Sequence, residues 1–458
     1  MEPSRRMTFR NLQEIRELSV FKWLYPGMHI KRWLLLLLFG VALMGLGIAY
    51  VLREAYLQYT LPGIFYYLTL QFIPRWGRGL LFITLSLTTV GLATWKLNQS
   101  LLYAFVRPGR GESVAEAIYN KRILARGPKI VAIGGGTGLS MLLRGLKQHT
   151  SNLTAIVTVA DDGGSTGRLR QEFGVIAPGD IRQCIAALAE AEPLMSRLFQ
   201  YRFSEGTGLQ GHSFGNLFIV AMSEITGNFE TAIHETSRVL NVRGAILPST
   251  LEDVTLSART KEDEIVHGEH NISERGTGIK EIFLNPPWAE AHPDAVRALL
   301  DADIIVIGPG SLYTSVLPNL LVDGIRKAVQ QSQALKIFVC NVATQRGETD
   351  GFSAADHLMA LERHAGKGLV DAVIVNNNIA PSLPEAWQSQ AVEIAHNGDS
   401  RVLEGVRVYE ADVVAEENRY RHDPQKLAAT ILRLYYGRDV PASQPQRSNE
   451  EAALASTR

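Results

Sequence analysis

The residues best suited to chemistry lie in two Gly-rich turns, each directly after a short apolar run. The first turn, 134–138, follows the run 129–133, and the second, 161–168, follows the run 155–160. Short β-branched runs are typical of buried parallel strands. Glycines after such a strand allow a sharp turn and bring backbone N–H groups close to a ligand. A helix beginning there adds unpaired N–H donors and a positive dipole end, so the two turns predict a nucleotide or sugar-nucleotide site.

Polar segments also follow three later apolar runs, at 303–307, 336–340 and 372–376. Apolar strands that alternate with helical stretches predict a doubly wound, mostly parallel, Rossmann-like α/β sheet. Ligands bind beyond the carboxyl ends of the strands in such sheets, so these segments are expected to meet in one crevice. The residues predicted to bind the ligand are Gly134, Gly135, Gly136, Thr137, Gly138, Asp161, Asp162, Gly163, Gly164, Ser165, Arg168, Ser213, Asn216, Gly308, Gly310, Ser311, Asn341 and Asn377.

Several familiar chemistries do not fit these turns. No Gly-Lys-Ser/Thr sequence follows the first turn, so it is not a Walker A loop. A dinucleotide fingerprint would require a third glycine where Leu139 stands, so hydride transfer is poorly supported. His212 lacks the partner spacing of a nucleophilic triad. No catalytic residue is assigned from the sequence.

The charged residues near the turns have two interpretations each. Asp161 and Asp162 could bind a ribose hydroxyl or a divalent cation such as Mg²⁺, or they could only cap the turn and the next helix. Arg168, with Arg170 and Arg182, could contact a pyrophosphate or could pair with local acids. Asp180 resembles the N-cap of a helix that starts after Pro178-Gly179. No cofactor other than Mg²⁺ is suggested.

Composition excludes some classes of partner. The 458 residues contain 46 Lys and Arg and 46 Asp and Glu, so bulk charge gives no reason to bind nucleic acid. Cys184 and Cys340 lie in apolar surroundings without CxxC spacing, which indicates buried thiols of a reducing compartment. His267 and His270 flank Gly268-Glu269 in a polar segment that we interpret as solvated surface rather than a metal site.

The N-terminal part differs from the rest of the chain because it contains long uncharged runs. The run 33–52 contains no charge, and 79–95 is a second uncharged run, so residues 33–95 are expected to form a two-helix transmembrane hairpin in a lipid bilayer. Lys and Arg flank the hairpin on both outer sides, which predicts that both termini and the main domain are cytoplasmic. A pair of buried core helices is the alternative.

These observations give a domain plan. Residues 1–32 form a basic cytoplasmic segment, 33–95 the hairpin, 96–128 a linker and 129–436 the α/β domain, with a disordered tail at 437–458. The stretch 242–283 has short alternating segments and is expected to be a β-rich insertion.

The ordered motifs resemble one family. The segments IGGGTGLS, VTVADDGGSTGRLR, PGDIRQC, GHSFGNL and IGPGSLYTSVLPNLL are similar to those of the YvcK-type gluconeogenesis factors, within the superfamily of the 2-phospho-lactate transferases. The resemblance covers about residues 129 to 430 and leaves out the hairpin. It implies binding of a UDP-sugar, especially UDP-N-acetylglucosamine, and a role in cell-envelope synthesis and cell shape linked to carbon source. It also implies that Arg421 contacts the sugar nucleotide, and Trp387 stands where relatives have a tyrosine.

Three functions are consistent with these residues and with the resemblance. We favour a membrane-tethered UDP-sugar sensor that regulates envelope-synthesis proteins, either as one chain or as a homo-oligomer. The second is an enzyme that transfers a phospho-acyl group from a guanosine diphosphate carrier to a deazaflavin with a divalent metal, as the resemblance to the transferases implies. The third is a scaffold with a vestigial nucleotide site. The resemblance attaches no firm reaction to this branch.

Overall fold

The computed structural model describes residues 30–58, 63, 67, 70, 72–105, 123–190, 193–275, 278–379, 389–395 and 405–437. Contacts divide the chain into two units, Met1–Ile123 and Leu124–Arg458. The expected basic segment up to residue 29, most of the linker, Trp387 and the tail after residue 437 lie outside the described residues.

The described part of the N-terminal unit includes the helices α1 (Ile30–Gln58) and α2 (Arg75–Phe105). Within the described residues, neither these nor any other helix combines the length and the apolar character that crossing a membrane demands. The expected transmembrane hairpin and membrane localisation are therefore wrong. In α1, the charged residues Arg53 and Glu54 follow the first uncharged run within the same helix. In α2, hydroxyl groups such as that of Thr84 interrupt the second run.

The second unit is built on a parallel sheet of seven strands, which confirms the predicted α/β class. Every residue of the interior strand Ile130–Gly134 is buried, as continuous apolar strands covered on both faces must be. Its neighbours are Leu153–Val157 and Ile304–Ile307, and both pair with it in parallel register. The strands are β1 (Ile130–Gly134), β2 (Leu153–Val157), β3 (Ala245–Pro248), β4 (Thr255–Thr260), β5 (Ile265–His267), β6 (Ile279–Asn285), β7 (Ile304–Ile307), β8 (Leu335–Val339), β9 (Ala372–Asn376) and β10 (Arg407–Ala411).

Strand order explains where a ligand could bind. Across the sheet the order is β10-β9-β8-β7-β1-β2-β3. The chain builds outward from β1 to β3 on one side and then returns to the other side of β1 with β7. The direction of winding therefore reverses between β1 and β7, and the loops after these two strands diverge to leave a crevice.

Helices of the second unit connect and cover the strands. They are α3 (Gly136–Leu146), α4 (Gly164–Phe173), α5 (Gly179–Leu188), α6 (Pro193–Gln200), α7 (Phe214–Thr226), α8 (Phe229–Val239), α9 (Glu269–Arg275), α10 (Pro293–Leu300), α11 (Leu317–Leu321), α12 (Asp323–Gln331), α13 (Ala354–Ala365) and α14 (Pro424–Tyr436). A single π-helical turn, Leu312–Val316, precedes α11. Local sequence sets several ends: the Ser213 side chain caps α7, and Ser353 forms a capping box with Asp356 at α13.

The stretch interpreted as β-rich contains a separate small sheet. Strands β4, β5 and β6 form an antiparallel sheet with β4 in the centre, and α9 connects β5 to β6. The start of that stretch contributes β3 to the main sheet instead. One apolar core runs through both sheets, because inward residues of the small sheet, such as Leu256 and Ile282, belong to the same buried cluster as β1.

Candidate functional site

A cavity of about 390 Å³ opens beyond the carboxyl ends of β1, β7 and β8, at the point where the winding reverses. Its wall consists of glycine turns, which expose their backbone groups, together with polar side chains and carboxyl groups. The lining residues are Gly135, Gly136, Thr137, Gly138, Met141, Asp161, Asp180, Gln183, Glu269, Pro309, Gly310, Ser311, Thr314, Ser315, Asn341, Val342, Ala343, Gln345, Tyr420, Arg421 and His422.

The first glycine turn places the start of α3 at this cavity. Gly136 has a φ of +60°, a left-handed conformation that favours glycine. Gly135 is extended and has no room for a side chain, because a Cβ there would lie 2.4 Å from Asp180 Oδ2. The N-cap Gly135 has no side chain to cap α3; the Gly136 N–H donates to Asp180, and the N–H groups of Thr137 and Gly138 have no side-chain acceptor among the described residues. An uncapped helix start of this kind is suited to bind an anionic group.

Another glycine turn, 308–310, follows β7 and packs directly against the turn 134–138. A Cβ on Gly138 would lie 2.4 Å from the Pro309 carbonyl oxygen, so the two turns touch through their backbones. Asn341, at the end of β8, holds Gly310 on both sides: its Oδ1 accepts from the Gly310 N–H at 3.2 Å and its Nδ2 donates to the Gly310 carbonyl at 2.8 Å. Ser311 donates to Gln345 Oε1 at 2.6 Å. Three different strands therefore fix one continuous wall.

Carboxylates form another wall of the cavity. Burial and the nearby charge of Asp161 together raise the pKa of Asp180 to about 7, although a hydrogen bond from the Gly136 N–H opposes the shift. Burial also raises the pKa of Asp161, whose Oδ1 accepts from the Gly163 N–H at 2.9 Å. The pKa of Glu269 is raised to about 8 by burial and by the neighbouring carboxylates. A site that favours neutral acids near pH 7 can donate hydrogen bonds as well as accept them.

The segment before α14 lines a further part of the cavity. Arg421 is exposed there, and its guanidinium forms no hydrogen bond or ion pair with any residue that the structure describes. His422 is buried, and its Nε2 lies 3.1 Å from the Cys340 carbonyl oxygen. Burial lowers the pKa of His422 to about 4, so its imidazole is neutral at physiological pH. Arg421 is thus the cationic group available to a ligand in this segment.

The structure brings together nine of the residues predicted from the sequence, and the rest lie elsewhere. The nine that line the cavity are Gly135, Gly136, Thr137, Gly138, Asp161, Gly310, Ser311, Asn341 and Arg421. Gly134 and Gly308 lie just behind the two turns, within or next to β1 and β7. Asn377 is exposed at the end of β9 and is not part of the wall.

The remaining predicted residues belong to structural networks outside the cavity wall. Ser165 Oγ lies 3.0 Å from His212 Nδ1 and accepts from Asn216 Nδ2 at 3.2 Å, and all three residues are buried. Ser213 caps α7 by accepting from the Asn216 N–H. Gly163 and Gly164 form the start of α4. These contacts fix the orientation of α7 relative to α4, and they do not bring Ser213 or Asn216 to the cavity.

Each charged residue that had two interpretations can now be assigned to one or both of them. Asp161 both stabilises its own turn and lines the cavity, whereas Asp162 accepts from the His270 N–H at 2.9 Å and ties the turn to α9. Arg168 donates to the Gln210 carbonyl and does not line the cavity. The described residues contain no group of three or more His, Cys, Asp or Glu side chains placed to hold a metal ion. A cation here would need phosphate oxygens of the ligand, as Mg²⁺ often does.

Sequence reasoning missed two acids of the wall. Asp180 was expected to cap its helix, but the N-cap is Pro178, and the Asp180 carboxyl instead reaches Gly135 and Gly136. Glu269 was placed in solvated surface; His267 and His270 on either side of it are exposed, whereas Glu269 faces the cavity. An acid in the first turn of an apolar helix was the available signal for Asp180. Nothing local distinguished Glu269.

The expected buried thiols are confirmed. Cys184 and Cys340 are free and fully enclosed. Burial raises the pKa of Cys340 to about 12 and moves that of Cys184 in the same direction. Neither thiol is a thiolate at neutral pH, so neither is suited to be a nucleophile.

Comparison with known proteins places these features in a family. The model of the family described as 2-phospho-L-lactate transferase CofD matches residues 130–414. The gluconeogenesis factor of Bacillus subtilis is 47% identical over 312 residues, which are 67% of this chain and 98% of that protein. A protein of Nostoc sp. is 47% identical over 426 residues, 91% of this chain and 93% of its own length, so its similarity extends into the N-terminal unit.

A solved structure is similar to the second unit. The crystal structure of a UPF0052 family member from Bacillus halodurans is 45% identical to this chain and superposes with a TM-score of 0.63. The match covers 67% of this chain and 99% of that one. This agreement in fold and sequence matches the resemblance that the motifs indicated.

Proposed function

This chain belongs to the CofD family, among the relatives named gluconeogenesis factor, and on that premise we propose that its cavity binds a UDP-sugar, UDP-N-acetylglucosamine in particular. In this proposal the protein is a regulatory, ligand-binding protein that adjusts cell-envelope synthesis and cell shape to carbon metabolism. The protein responds to binding of the ligand and does not convert it chemically.

One observation carries the proposal: the uncapped start of α3 and the Gly310 turn meet at the same cavity. The Gly136 N–H at the start of α3 donates to Asp180, whereas the N–H groups of Thr137 and Gly138 have no side-chain acceptor among the described residues. The Gly310 turn touches this start through Gly138 and is held in place by Asn341. Backbone donors fixed at a helix start suit a diphosphate because they need no reorganisation when the anion binds.

The cationic end of the cavity supports the same ligand. Arg421 has no ion-pair partner among the described residues, so its guanidinium is available to a phosphate oxygen or to the face of a nucleobase. A diphosphate between α3 and Arg421 would place the sugar toward the carboxylate wall.

A regulatory role fits the residues of the wall better than covalent catalysis. The lining residues include no lysine or cysteine, and their one histidine, His422, bonds to the Cys340 carbonyl. The hydroxyl of Ser311 is committed to Gln345 at 2.6 Å. A nucleophile with an adjacent base is the usual requirement for covalent catalysis. Among the described lining residues no lysine or histidine is placed as that base, and the hydroxyl of Thr314 donates to the buried Glu348, whose same oxygen also accepts from Gln345.

Calorimetric titration of the full chain with UDP-N-acetylglucosamine, UDP and GDP tests the proposal. We expect uridine-selective binding and an unchanged ligand after prolonged incubation. Arg421→Gln should weaken binding by about 10-fold, the value of one lost charge-assisted hydrogen bond. Arg433→Gln, an exposed arginine of α14 that does not line the cavity, is the matched control. Failure of the wild-type chain to bind any UDP-sugar would overturn the proposal.

The carboxylate wall favours a second candidate function, transfer of a phospho-acyl group as the name of the matched family describes. Asp161 and Asp180 are carboxylates near the expected diphosphate, where they would hold Mg²⁺ together with phosphate oxygens. That function predicts guanosine-selective binding that requires Mg²⁺. Repeating the titrations with and without Mg²⁺ therefore separates the two functions.

A further inference from the structure

The walls of the cavity differ in the hydrogen-bonding groups they offer. The start of α3 and Arg421 supply donors and positive charge, which suit phosphate. Asp161, Asp180 and Glu269 supply carboxyl groups, which can both donate hydrogen bonds to and accept them from hydroxyl and amide groups. A bound sugar nucleotide would therefore turn its phosphates toward the first group and its sugar toward the second.

Glu269 differs from the other two acids in its origin. Asp161 and Asp180 belong to connections of the parallel sheet, whereas Glu269 is the first residue of α9, which joins two strands of the antiparallel sheet. The position of α9 is fixed at the cavity, because the His270 N–H donates to Asp162 Oδ1 at 2.9 Å. Gly268 packs so closely that a Cβ there would lie 2.6 Å from Asp162 Oδ2.

The carboxyl of Glu269 also has unused hydrogen-bonding capacity. Asp161 accepts from the Gly163 N–H, and Asp180 is hydrogen-bonded to the Gly136 N–H. Among the described residues, Glu269 receives one hydrogen bond, from Ser273 Oγ at a long 3.5 Å. Burial and the neighbouring carboxylates raise the pKa of Glu269 to about 8, so it mostly carries its proton at pH 7. A protonated carboxyl offers one donor together with its acceptors.

We propose that Glu269 recognises the sugar of the bound nucleotide through hydrogen bonds to a hydroxyl or acetamido group, so that the antiparallel sheet determines which sugar nucleotide the cavity accepts. This inference rests on the proposed function, and it identifies the sugar as the part of the ligand that Glu269 recognises. The nucleoside and the diphosphate are bound by the parallel sheet and by Arg421, independently of Glu269.

The test compares ligands that share the nucleotide and differ in the sugar. The full-length wild-type chain, Glu269→Met and Glu269→Gln are titrated with UDP, UDP-glucose and UDP-N-acetylglucosamine. Methionine keeps the length of the side chain and removes its hydrogen bonds, whereas glutamine keeps a donor and an acceptor. We expect Glu269→Met to lose about 10-fold or more in affinity for a sugar nucleotide and less than about 2-fold for UDP. Glu269→Gln should retain most of the affinity for both.

Glu274→Gln is the matched control, because Glu274 lies on the same helix with a side chain that is 71% exposed. If Glu269→Met does not fold, Glu269→Ala replaces it in the same titrations. An equal loss for UDP and for the sugar nucleotides, or no loss for either, would overturn the inference while the proposed function stands. A wild-type chain that binds no uridine ligand would overturn the proposed function, and the inference with it.

Discussion

Replacement of Gly138 by alanine tests the central geometric argument, that two glycine turns in backbone contact create the phosphate site. The added Cβ would lie 2.4 Å from the Pro309 carbonyl oxygen, 2.7 Å from the Pro309 carbonyl carbon and 2.8 Å from Gly310 Cα. All three atoms are backbone, so no side-chain rotation relieves the contact. Normal carbon contacts begin at about 3.5 Å, so the turns must separate by about 1 Å.

Two effects of opposite sign act on stability. Gly138 lies in the first turn of α3 without a positive φ, so helix propensity alone favours alanine by about 1 kcal/mol. Overpacking against a fixed backbone typically costs about 1 to 3 kcal/mol. Because the neighbouring atoms cannot rotate away, we expect the second effect to exceed the first, with a net loss of about 1 kcal/mol.

Ligand affinity should fall by more than stability suggests. A shift of about 1 Å moves backbone donors of α3 out of reach of the diphosphate. One or two charge-assisted hydrogen bonds would be lost, at about 1.5 to 3 kcal/mol each, which is a loss of about 10-fold or more in the affinity for UDP-N-acetylglucosamine.

Urea unfolding and calorimetric titration measure the two effects, and Gly134→Ala is the matched control. A Cβ on Gly134, four residues earlier, would meet its nearest atom, Leu139 Cβ, at an ordinary 3.6 Å. This control should therefore change affinity by less than about 3-fold. If Gly138→Ala is as stable as Gly134→Ala and binds the ligand equally well, the contact between the turns does not determine the site.

Three further predictions follow from single contacts. Asn341→Asp keeps the acceptor for the Gly310 N–H but replaces the donor to the Gly310 carbonyl by a carboxylate oxygen. The Gly310 turn is then held less firmly, so calorimetric titration should show an affinity for UDP-N-acetylglucosamine that is lower by about 10-fold. Burial raises the pKa of Glu348 from 4.5 to about 7. Because the unfolded chain releases this proton at a lower pH than the folded protein does, the folded state should lose roughly 3 kcal/mol of stability as pH rises from about 4.5 to 7. Urea unfolding of Glu348→Gln should therefore show a weaker pH dependence than that of the wild-type chain. Cys184 and Cys340 are buried with raised pKa values, so Ellman's reagent should react with neither thiol at pH 8 until the protein is unfolded, and rapid labelling of the native state would contradict their enclosure.

Sequence reasoning was most successful where the signal was local. The apolar run 129–133 differs by one residue from the observed β1, and the run 372–376 coincides with β9. Strand β10 was missed because its burial pattern is mixed, and β3 was merged into the insertion because it has only four residues. The uncharged runs near the N-terminus indicated a membrane hairpin, and the helices described there do not support it.

Which chemical groups face the ligand depended on packing between distant segments. Ser165, Ser213 and Asn216 have the residue types of a binding site, yet they satisfy one another inside the protein. Glu269 lies 108 residues after Asp161, and no periodicity in between brings it toward the glycine turns. Its place at the cavity depends on how the antiparallel sheet packs, which is a tertiary property.

Local sequence was sufficient to predict most of the parallel strands and the glycine turns, because strand hydrophobicity and glycine conformation are properties of neighbouring residues. The position of β7 beside β1 could not be predicted from either segment, since strand order depends on the free energy of the whole packed sheet. That adjacency brings Gly138 against Pro309, and the packing of α5 beside α3 places the carboxyl of Asp180 against Gly135, so that separate connections form one cavity.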